Sequence, residues 1–297
     1  MRVLGISPLH DSTVAVVNNG EVEFFFKEER FTRIKRDGYP VKSILKVLEN
    51  LKDPIDHFCI SSPNNPDGEH RMLVTMLAKM FNCPGTDYNS HHHLSHASLA
   101  FYNSGFQDAL VFVIDRDGSV IENCAREAET VFRANYPCNF KVLQKNLWVF
   151  DNFQGLTASN LPFECNTDST MSITKVYESA TTLIGQKPLE NGKTMGLSSY
   201  GKSNTFDPLF INNRPNDKLF SQGKYIFDHF DTTINKNYIP YITKDVTRDN
   251  YQFYADYAHQ VQTQTQEQVL NLVRKWVEKT GIKKVCMTGG YSLNVVS

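Results

Sequence analysis

The chain has 297 residues, with 31 basic and 32 acidic side chains and a net charge of −1. Hydrophobic residues make up 40% and aromatic residues 12%, which excludes a disordered chain, and the balanced charge argues against general nucleic-acid binding. The length predicts about two domains. No stretch of about 18 apolar residues exists, so we expect no membrane span. Six scattered cysteines without a Cys-x-x-Cys pair favour reduced thiols in a cytoplasmic protein.

Residues 1–126 are interpreted as a first α/β half, because strand-like and helix-like patterns alternate along them. This half opens with three strands, the third of which follows an Asn-Gly turn, and such an opening is not the start of a Rossmann fold. Helices are predicted at 41–51, 69–81 and 92–102. Strands are predicted at 2–7, 12–17, 21–27, 55–60, 109–115 and 120–126.

Residues 127–297 are interpreted as a second half whose pattern is harder to read. A Gly-rich segment at 188–202 predicts a loop, and the polar segment at 204–250 predicts an insertion or a cap of short strands. The apolar face of 252–280 predicts the longest helix. The other predicted elements are a helix at 170–184 and strands at 142–150 and 284–287.

A histidine-rich run at 91–96 provides the first candidate site. His92 and His96 are four residues apart, so on a helix they share a face and can bind one metal ion. Asp115, at the end of the strand that follows, is the natural third ligand, because strand ends beside glycine are where open sheets present ligands. The alternatives are a histidine-rich helix start without a metal, and Asp115 as a turn residue.

Four other segments carry chemical groups, each with a simpler structural interpretation. His10 and Asp11 lie between the first two strands, where a tight turn would expose them. The run 28–36 holds four basic residues within seven positions, which suits either a phosphate site or a solvated loop. Lys193 lies between glycines, and Gly289-Gly290 follows a strand. Both glycine-rich segments let a backbone approach a ligand such as a phosphate, although the segment around Lys193 is not a P-loop.

Taken in this order, these segments resemble the O-carbamoyltransferases of the nodulation-factor and antibiotic-tailoring type. The resemblance spans nearly the whole chain, and its most specific parts are the histidine run and the Lys-Thr-Met-Gly-Leu run. The resembling runs are Leu4-Gly5-Ile6 with His10-Asp11-Ser12, Glu28 to Lys35, His92 to Ala97, Gly192 to Gly201, and Gly289 to Asn294.

The resemblance implies an actin-like ATPase fold, with two related α/β halves and with nucleotide and metal in the cleft. It implies transfer of a carbamoyl group from carbamoyl-adenylate, made from ATP and carbamoyl phosphate, to an acceptor hydroxyl. A divalent metal (iron, zinc or manganese) and ATP would be the cofactors. The implied metal ligands are His92, His96 and Asp115. The implied nucleotide contacts are Lys35, Lys193, Gly289, Gly290 and Asn294.

The same resemblance places His10 at the transfer centre, where a neutral imidazole could take the proton of the acceptor. Asp11 is the alternative base. The family usually has Asp-Gly-x-Gly after the first inner strand, whereas this chain has Arg116 in place of the first glycine, and Asp117 offers a substitute ligand. We therefore expect the phosphate contact at this loop to differ from that of the family.

The family continues past the Gly-Gly turn into a separate adenylate-forming domain. We therefore expect this chain to hold an incomplete second half and to lack that domain, as a truncation or a split gene product whose adenylate-forming part is a separate chain. The expected acceptor is a small molecule or a glycan. Alternatives are a threonylcarbamoyl transferase of tRNA modification, which the balanced charge argues against, and a metal- and nucleotide-binding half that is active only with a partner.

Overall fold

The computed structural model divides into two units, Met1–Ser95 and His96–Ser297. The predicted division between residues 126 and 127 lies inside a strand, so the observed division comes earlier in the chain. Within the described residues, no helix is both long and apolar enough to cross a membrane. The structure describes residues 1–8, 10–61, 69–121, 124–150, 161–187, 189–202, 206–217, 219–220 and 251–296.

The first unit is built on a five-stranded sheet with helices beside it. The strands are β1 (Arg2–Ser7), β2 (Thr13–Asn18), β3 (Glu21–Lys27), β4 (His57–Ile60) and β5 (Gly85–Asp87). The helices are α1 (Glu28–Thr32), α2 (Val41–Asn50) and α3 (Glu69–Phe81). The strand order in the sheet is β3-β2-β1-β4-β5. The first three strands are antiparallel neighbours, whereas β4 pairs with β1, and β5 with β4, in parallel. Side chains from alternate positions of β1 and β2 form the core with α2.

Helix α4 (His92–Ser104) crosses the boundary between the units, and the second unit continues with a six-stranded sheet. The strands are β6 (Asp108–Ile114), β7 (Val120–Ile121), β8 (Ala125–Asn135), β9 (Asn139–Val149), β10 (Glu164–Asp168) and β13 (Val285–Thr288). Neighbouring strands follow the order β10-β9-β8-β6-β13, and the short strand β7 pairs with one end of β8. A separate pair is formed by β11 (Phe210–Ile211) and β12 (Arg214–Pro215). The helices are α5 (Ile173–Leu183), α6 (Asn191–Ser198) and α7 (Tyr251–Thr280).

The two sheets share one plan. In each, three strands pair antiparallel, β1-β2-β3 in the first unit and β6-β8-β9 in the second, and a later strand adds in parallel beside the first of the three. In the first unit this later strand is β4 beside β1, and in the second it is β13 beside β6. The loops after β1 and β6 are therefore equivalent, and they carry the predicted site residues His10, Asp11 and Asp115.

The predicted opening of three strands is confirmed, as are helices at 69–81 and near 41–51 and 252–280. The loop predicted at 188–202 is wrong, because it contains α6. Thr194 is buried there and its hydroxyl lies 2.8 Å from that of Thr181. A Cβ at Gly192 or Gly196 would meet open space, so packing does not require glycine at either position, and each glycine lowers the stability of the helix.

The segment after residue 126 was not predicted as a strand, although it forms most of β8. Buried acidic residues interrupt its alternation: the Glu127 carboxylate pairs with Lys145 and accepts the N–H of Ser119, and Glu129 is also buried. Of the polar segment predicted at 204–250, residues 204–205, 218 and 221–250 lie outside the described residues. The part that is described includes β11 and β12, and the Gln260 side chain of α7 binds the backbone of Phe206.

Glu129 is a fully buried carboxyl group on β8 that accepts the N–H of Ile173 at 3.2 Å, at the start of α5. Burial raises its pKa to about 7, although hydrogen bonds from Asn146 and Ile173 oppose the rise. The folded protein therefore binds more protons at this position than the unfolded chain does between about pH 4.5 and 7. Stability from this group is present at low pH and is lost as the pH rises through 7.

We predict that Glu129→Gln, which is neutral at every pH, removes this dependence. The free energy of unfolding of the unmodified protein should fall, relative to that of the variant, by on the order of 2 kcal/mol between pH 5 and pH 8. Urea unfolding at several pH values measures the difference. Parallel stability profiles for the two proteins would contradict the raised pKa.

Candidate functional site

The first candidate site joins helix α4 to the end of strand β6. His92 and His96 lie one turn apart on α4, and Asp115 follows β6 directly. The ligand atoms of these three residues all lie within 4.8 Å of one another, and His96 Nε2 is 3.6 Å from Asp115 Oδ2. The structure thus brings the three residues together, and their binding of a metal stays a prediction.

The chemistry of this donor set fits a divalent metal ion. Two imidazole nitrogens and one carboxylate oxygen suit zinc, iron and manganese alike. Metal bonds of about 2.1 Å place ligand atoms up to about 4.2 Å apart, so small side-chain rotations would bring these atoms onto one ion. Asp115 is mostly buried and His96 is partly exposed, which leaves a route for a substrate from the histidine side.

The carboxylate of Asp115 is held by the Gly-Gly turn that follows β13. The N–H of Gly290 donates to Asp115 Oδ1 at 2.8 Å, so the other oxygen, Oδ2, is the one nearer to His96. The parallel pairing of β13 with β6 brings the two segments side by side across 175 positions of sequence. The sequence assigned this turn to a nucleotide, whereas in the structure its N–H holds a predicted metal ligand.

Gly289 adopts a backbone conformation that only glycine accepts easily. Its φ is +92°, and a Cβ at this position would lie 2.4 Å from the carbonyl oxygen of Ile114. The turn therefore fits against the end of β6 only because a side chain is missing there.

Two other predicted nucleotide contacts have protein partners. The side-chain amide of Asn294 exchanges hydrogen bonds of 2.8 and 3.2 Å with Gln262, whose oxygen also accepts the hydroxyl of Tyr177. Lys193 on α6 is 58% exposed and pairs with Glu190 at 3.0 Å. Asn294 therefore anchors the end of the turn to α7, while the Lys193 ammonium group lies at the surface.

Arg116, which stands where the resemblance predicts a glycine, lies in a buried cluster of charges. Its guanidinium donates to both carboxylate oxygens of Glu178, at 2.6 and 2.9 Å, and also to Asp117. Lys175 lies 3.3 Å from Asp117 and 3.6 Å from Glu178. Asp117 thus faces two cations of this cluster, which argues against its use as a substitute metal ligand.

The second candidate site lies in the first unit, at the turn between β1 and β2. His10 Nδ1 lies 3.1 Å from Asp11 Oδ2, and Lys27 donates to Asp11 Oδ1 at 2.9 Å. Partial burial raises the pKa of Asp11, but hydrogen bonds from Lys27 and His10 outweigh that effect and hold it below its usual value. Asp11 is therefore a poor base. A carboxylate only accepts, so Nδ1 of His10 carries the proton in this contact, and in a neutral ring Nε2 is then the acceptor.

A concave pocket of about 520 Å³ opens beside this turn. Glu29 stabilises its wall by accepting the N–H of Arg36 at 3.2 Å and by pairing with Lys27 at 3.2 Å. Four cationic side chains face two carboxylates, so the pocket carries an excess of two positive charges and suits an anion. The lining residues are Asp11, Lys27, Glu29, Arg33, Lys35 and Arg36.

Sequence reasoning found the basic run but singled out only Lys35. It missed Lys27, because a lysine at the end of a strand has no distinctive pattern. It also missed the bond from Gly290 to Asp115. Only the register of two distant strands, which a single sequence does not report, reveals that contact.

Comparisons with known proteins place the chain among carbamoyltransferases. Residues 69–297 match the family model described as Carbamoyltransferase N-terminus. An uncharacterized protein of Methanocaldococcus jannaschii is 30% identical over 201 residues, 67% of this chain and 33% of that protein. The nodulation protein NolNO of Sinorhizobium fredii is 26% identical over 324 residues, 96% of this chain and 41% of that protein. The chain spans about a third to a half of the curated relatives it matches.

Among solved structures, full-length HypF in its phosphate- and nucleotide-bound form matches with a TM-score of 0.56. The match covers 99% of this chain and 49% of HypF at 13% identity, so it concerns the fold alone. The fold is of the actin-like ATPase class, which confirms the fold expected from the sequence, and the shared plan of the two sheets agrees with it.

The fit of Gly289 against β6 gives a prediction for stability. Gly289→Ala should destabilise the protein by about 2 kcal/mol or more, because the new Cβ meets the Ile114 carbonyl and the backbone has a positive φ. Gly196→Ala is the matched control, since that glycine has open space and lies in a helix. Urea unfolding compares the two variants. Equal stability of both would mean that the turn relaxes without cost.

Proposed function

This chain belongs to the carbamoyltransferase N-terminus family, and on that premise we propose that it transfers a carbamoyl group from carbamoyl-adenylate to a hydroxyl of an acceptor. The observation that carries the proposal is the convergence of His92, His96 and Asp115. We assign formation of the adenylate, from ATP and carbamoyl phosphate, to an adenylate-forming domain in the same polypeptide or in a partner chain. The proposed acceptor is a sugar or another hydroxyl-bearing small molecule or glycan.

In this reaction the acceptor oxygen bonds to the carbamoyl carbon, and the bond from that carbon to the phosphate oxygen of AMP breaks. The carbonyl oxygen carries negative charge in the tetrahedral intermediate. A divalent metal held by His92, His96 and Asp115 would supply positive charge that stabilises this oxygen or the adenylate phosphate. Asp115 presents one oxygen for this role, because Gly290 holds the other.

We propose His10 as the base that takes the proton of the acceptor hydroxyl. Its ring is 63% exposed, so an acceptor can reach Nε2. Asp11 orients the ring through Nδ1, and Lys27 keeps Asp11 ionised. The lowered pKa of Asp11 supports this division of roles and favours His10 over Asp11 as the proposed base.

We propose that the basic pocket binds a phosphate group of the nucleotide donor. Arg33, Lys35 and Arg36 supply the excess positive charge, and arginine matches phosphate oxygens through paired N–H groups. The Lys27 ammonium is less suited to the ligand, because Asp11 and Glu29 both engage it. Lys193 and Asn294 stay predicted nucleotide contacts.

The metal centre is tested with His92→Ala/His96→Ala. We expect the unmodified chain to hold about one equivalent of metal and the double variant to lose it, with at least a hundredfold loss of carbamoyl transfer. Metal analysis gives the first value. The second is measured with ATP, labelled carbamoyl phosphate, candidate sugars and a separately expressed adenylate-forming domain.

His91→Ala is the matched control, because His91 is exposed and lies outside the group of three. Metal retained by the double variant would contradict the ligand assignment. Absence of carbamoylated product from the unmodified chain, with the adenylate-forming domain present and a broad set of acceptors, would contradict the proposed reaction.

The anion pocket is tested with Arg33→Ala and Lys35→Ala. Each should weaken binding of AMP about tenfold, because each removes a charge-assisted hydrogen bond to phosphate. Calorimetry at two salt concentrations measures the affinity and its salt dependence. Lys52→Ala removes an exposed lysine outside the pocket and should leave the affinity unchanged. Equal affinities for all the variants would place the phosphate elsewhere.

A further inference from the structure

The Gly289-Gly290 turn has a role that its sequence does not indicate. We propose that Gly290 is a positioning residue for Asp115, and that its main-chain N–H determines which carboxylate oxygen is offered to the metal ion. The inference rests on the metal centre of the proposed function, and it concerns a residue that the resemblance assigned to nucleotide binding.

The contacts of Asp115 leave little freedom to its side chain. Its own N–H donates to the carbonyl of Ala128 at 3.0 Å, so the backbone is fixed to β8. What is left is rotation of the carboxylate. The bond of 2.8 Å from Gly290 to Oδ1 restricts that rotation and directs Oδ2 toward His96. A metal ion would thus meet a carboxylate that is already oriented to bind through one oxygen.

A residue without a Cβ suits this contact. A Cβ at position 290 would lie 3.1 Å from Asp115 Oδ1, which is tighter than an ordinary van der Waals contact. The conformation of Gly289 lets the turn come close enough to β6, and the pairing of Thr288 with Val113 sets the level at which it arrives. The pair of glycines therefore serves the approach of one main chain to one carboxylate.

This contact also bears on the nucleotide assignment. A main-chain N–H that donates to a carboxylate at 2.8 Å is engaged, so in this geometry it is not offered to a phosphate oxygen. Hydrogen bonds that orient a metal ligand commonly change metal affinity by 10- to 100-fold when they are lost. The same range is expected for Gly290.

The test measures Co²⁺ and Mn²⁺ binding to the full chain. Gly290→Pro removes the N–H, and proline is compatible with the first position of a 3₁₀ turn, although its ring also crowds Asp115 Oδ1. We expect at least tenfold weaker binding and a changed visible spectrum of the Co²⁺ complex. Gly290→Ala keeps the N–H but crowds Oδ1, and it should show a smaller loss. Gly196→Ala, in open space on α6, should bind as the unmodified chain does.

Thermal unfolding separates positioning from folding. A Gly290→Pro variant that binds Co²⁺ with unchanged affinity and spectrum overturns the inference, while loss of binding in His92→Ala/His96→Ala still upholds the metal centre. If Gly290→Pro unfolds at a markedly lower temperature, binding is measured below that temperature, where the variant is folded, and an affinity no weaker than that of Gly290→Ala overturns the inference. If the unmodified chain binds neither ion, the metal centre itself is wrong.

Discussion

The parallel pairing of β13 with β6 is the constraint on which the proposed metal centre depends. It places the end of a strand near residue 288 beside the end of a strand near residue 114, so that the Gly290 N–H meets the Asp115 carboxylate. The two residues are 175 positions apart in the chain, so only the pairing of their strands brings them into contact. The buried apolar strand β6 supplies the rigid base, since all its residues from Ala109 to Ile114 are fully buried. The carboxylate is therefore held by the sheet as well as by its own loop.

The repeated sheet plan explains why two functional loops occur at equivalent places. In each unit the loop between the first two strands leaves the end of a central strand, where neighbouring strands diverge and polar groups can face a ligand. In the first unit this loop carries His10 and Asp11, and in the second it carries Asp115. One architecture thus carries the proposed proton acceptor in one unit and a proposed metal ligand in the other.

The sequence predicted those parts of the fold in which one periodicity dominates. The opening strands and the helix at 252–280 have regular apolar positions, and His92 and His96 are linked by helical spacing alone. The prediction of secondary structure failed where polar residues are buried. Glu129 is buried in a strand, and the buried Thr194 lies between two glycines of a helix. Their stability depends on tertiary hydrogen bonds, which a single sequence does not display.

The charges near the loop after β6 are balanced, whereas those of the basic pocket in the first unit are not, and this difference supports different proposed roles for the two regions. Arg116 follows Asp115, the proposed metal ligand, and Glu178 and Asp117 neutralise its charge, while burial lowers the pKa of the neighbouring Lys175. A cluster whose charges balance has little affinity left for a phosphate, because binding would require breaking buried ion pairs. The basic pocket of the first unit, by contrast, carries more cations than its carboxylates neutralise. The neutralised charge of Arg116 therefore agrees with the proposal that the first unit binds the phosphate.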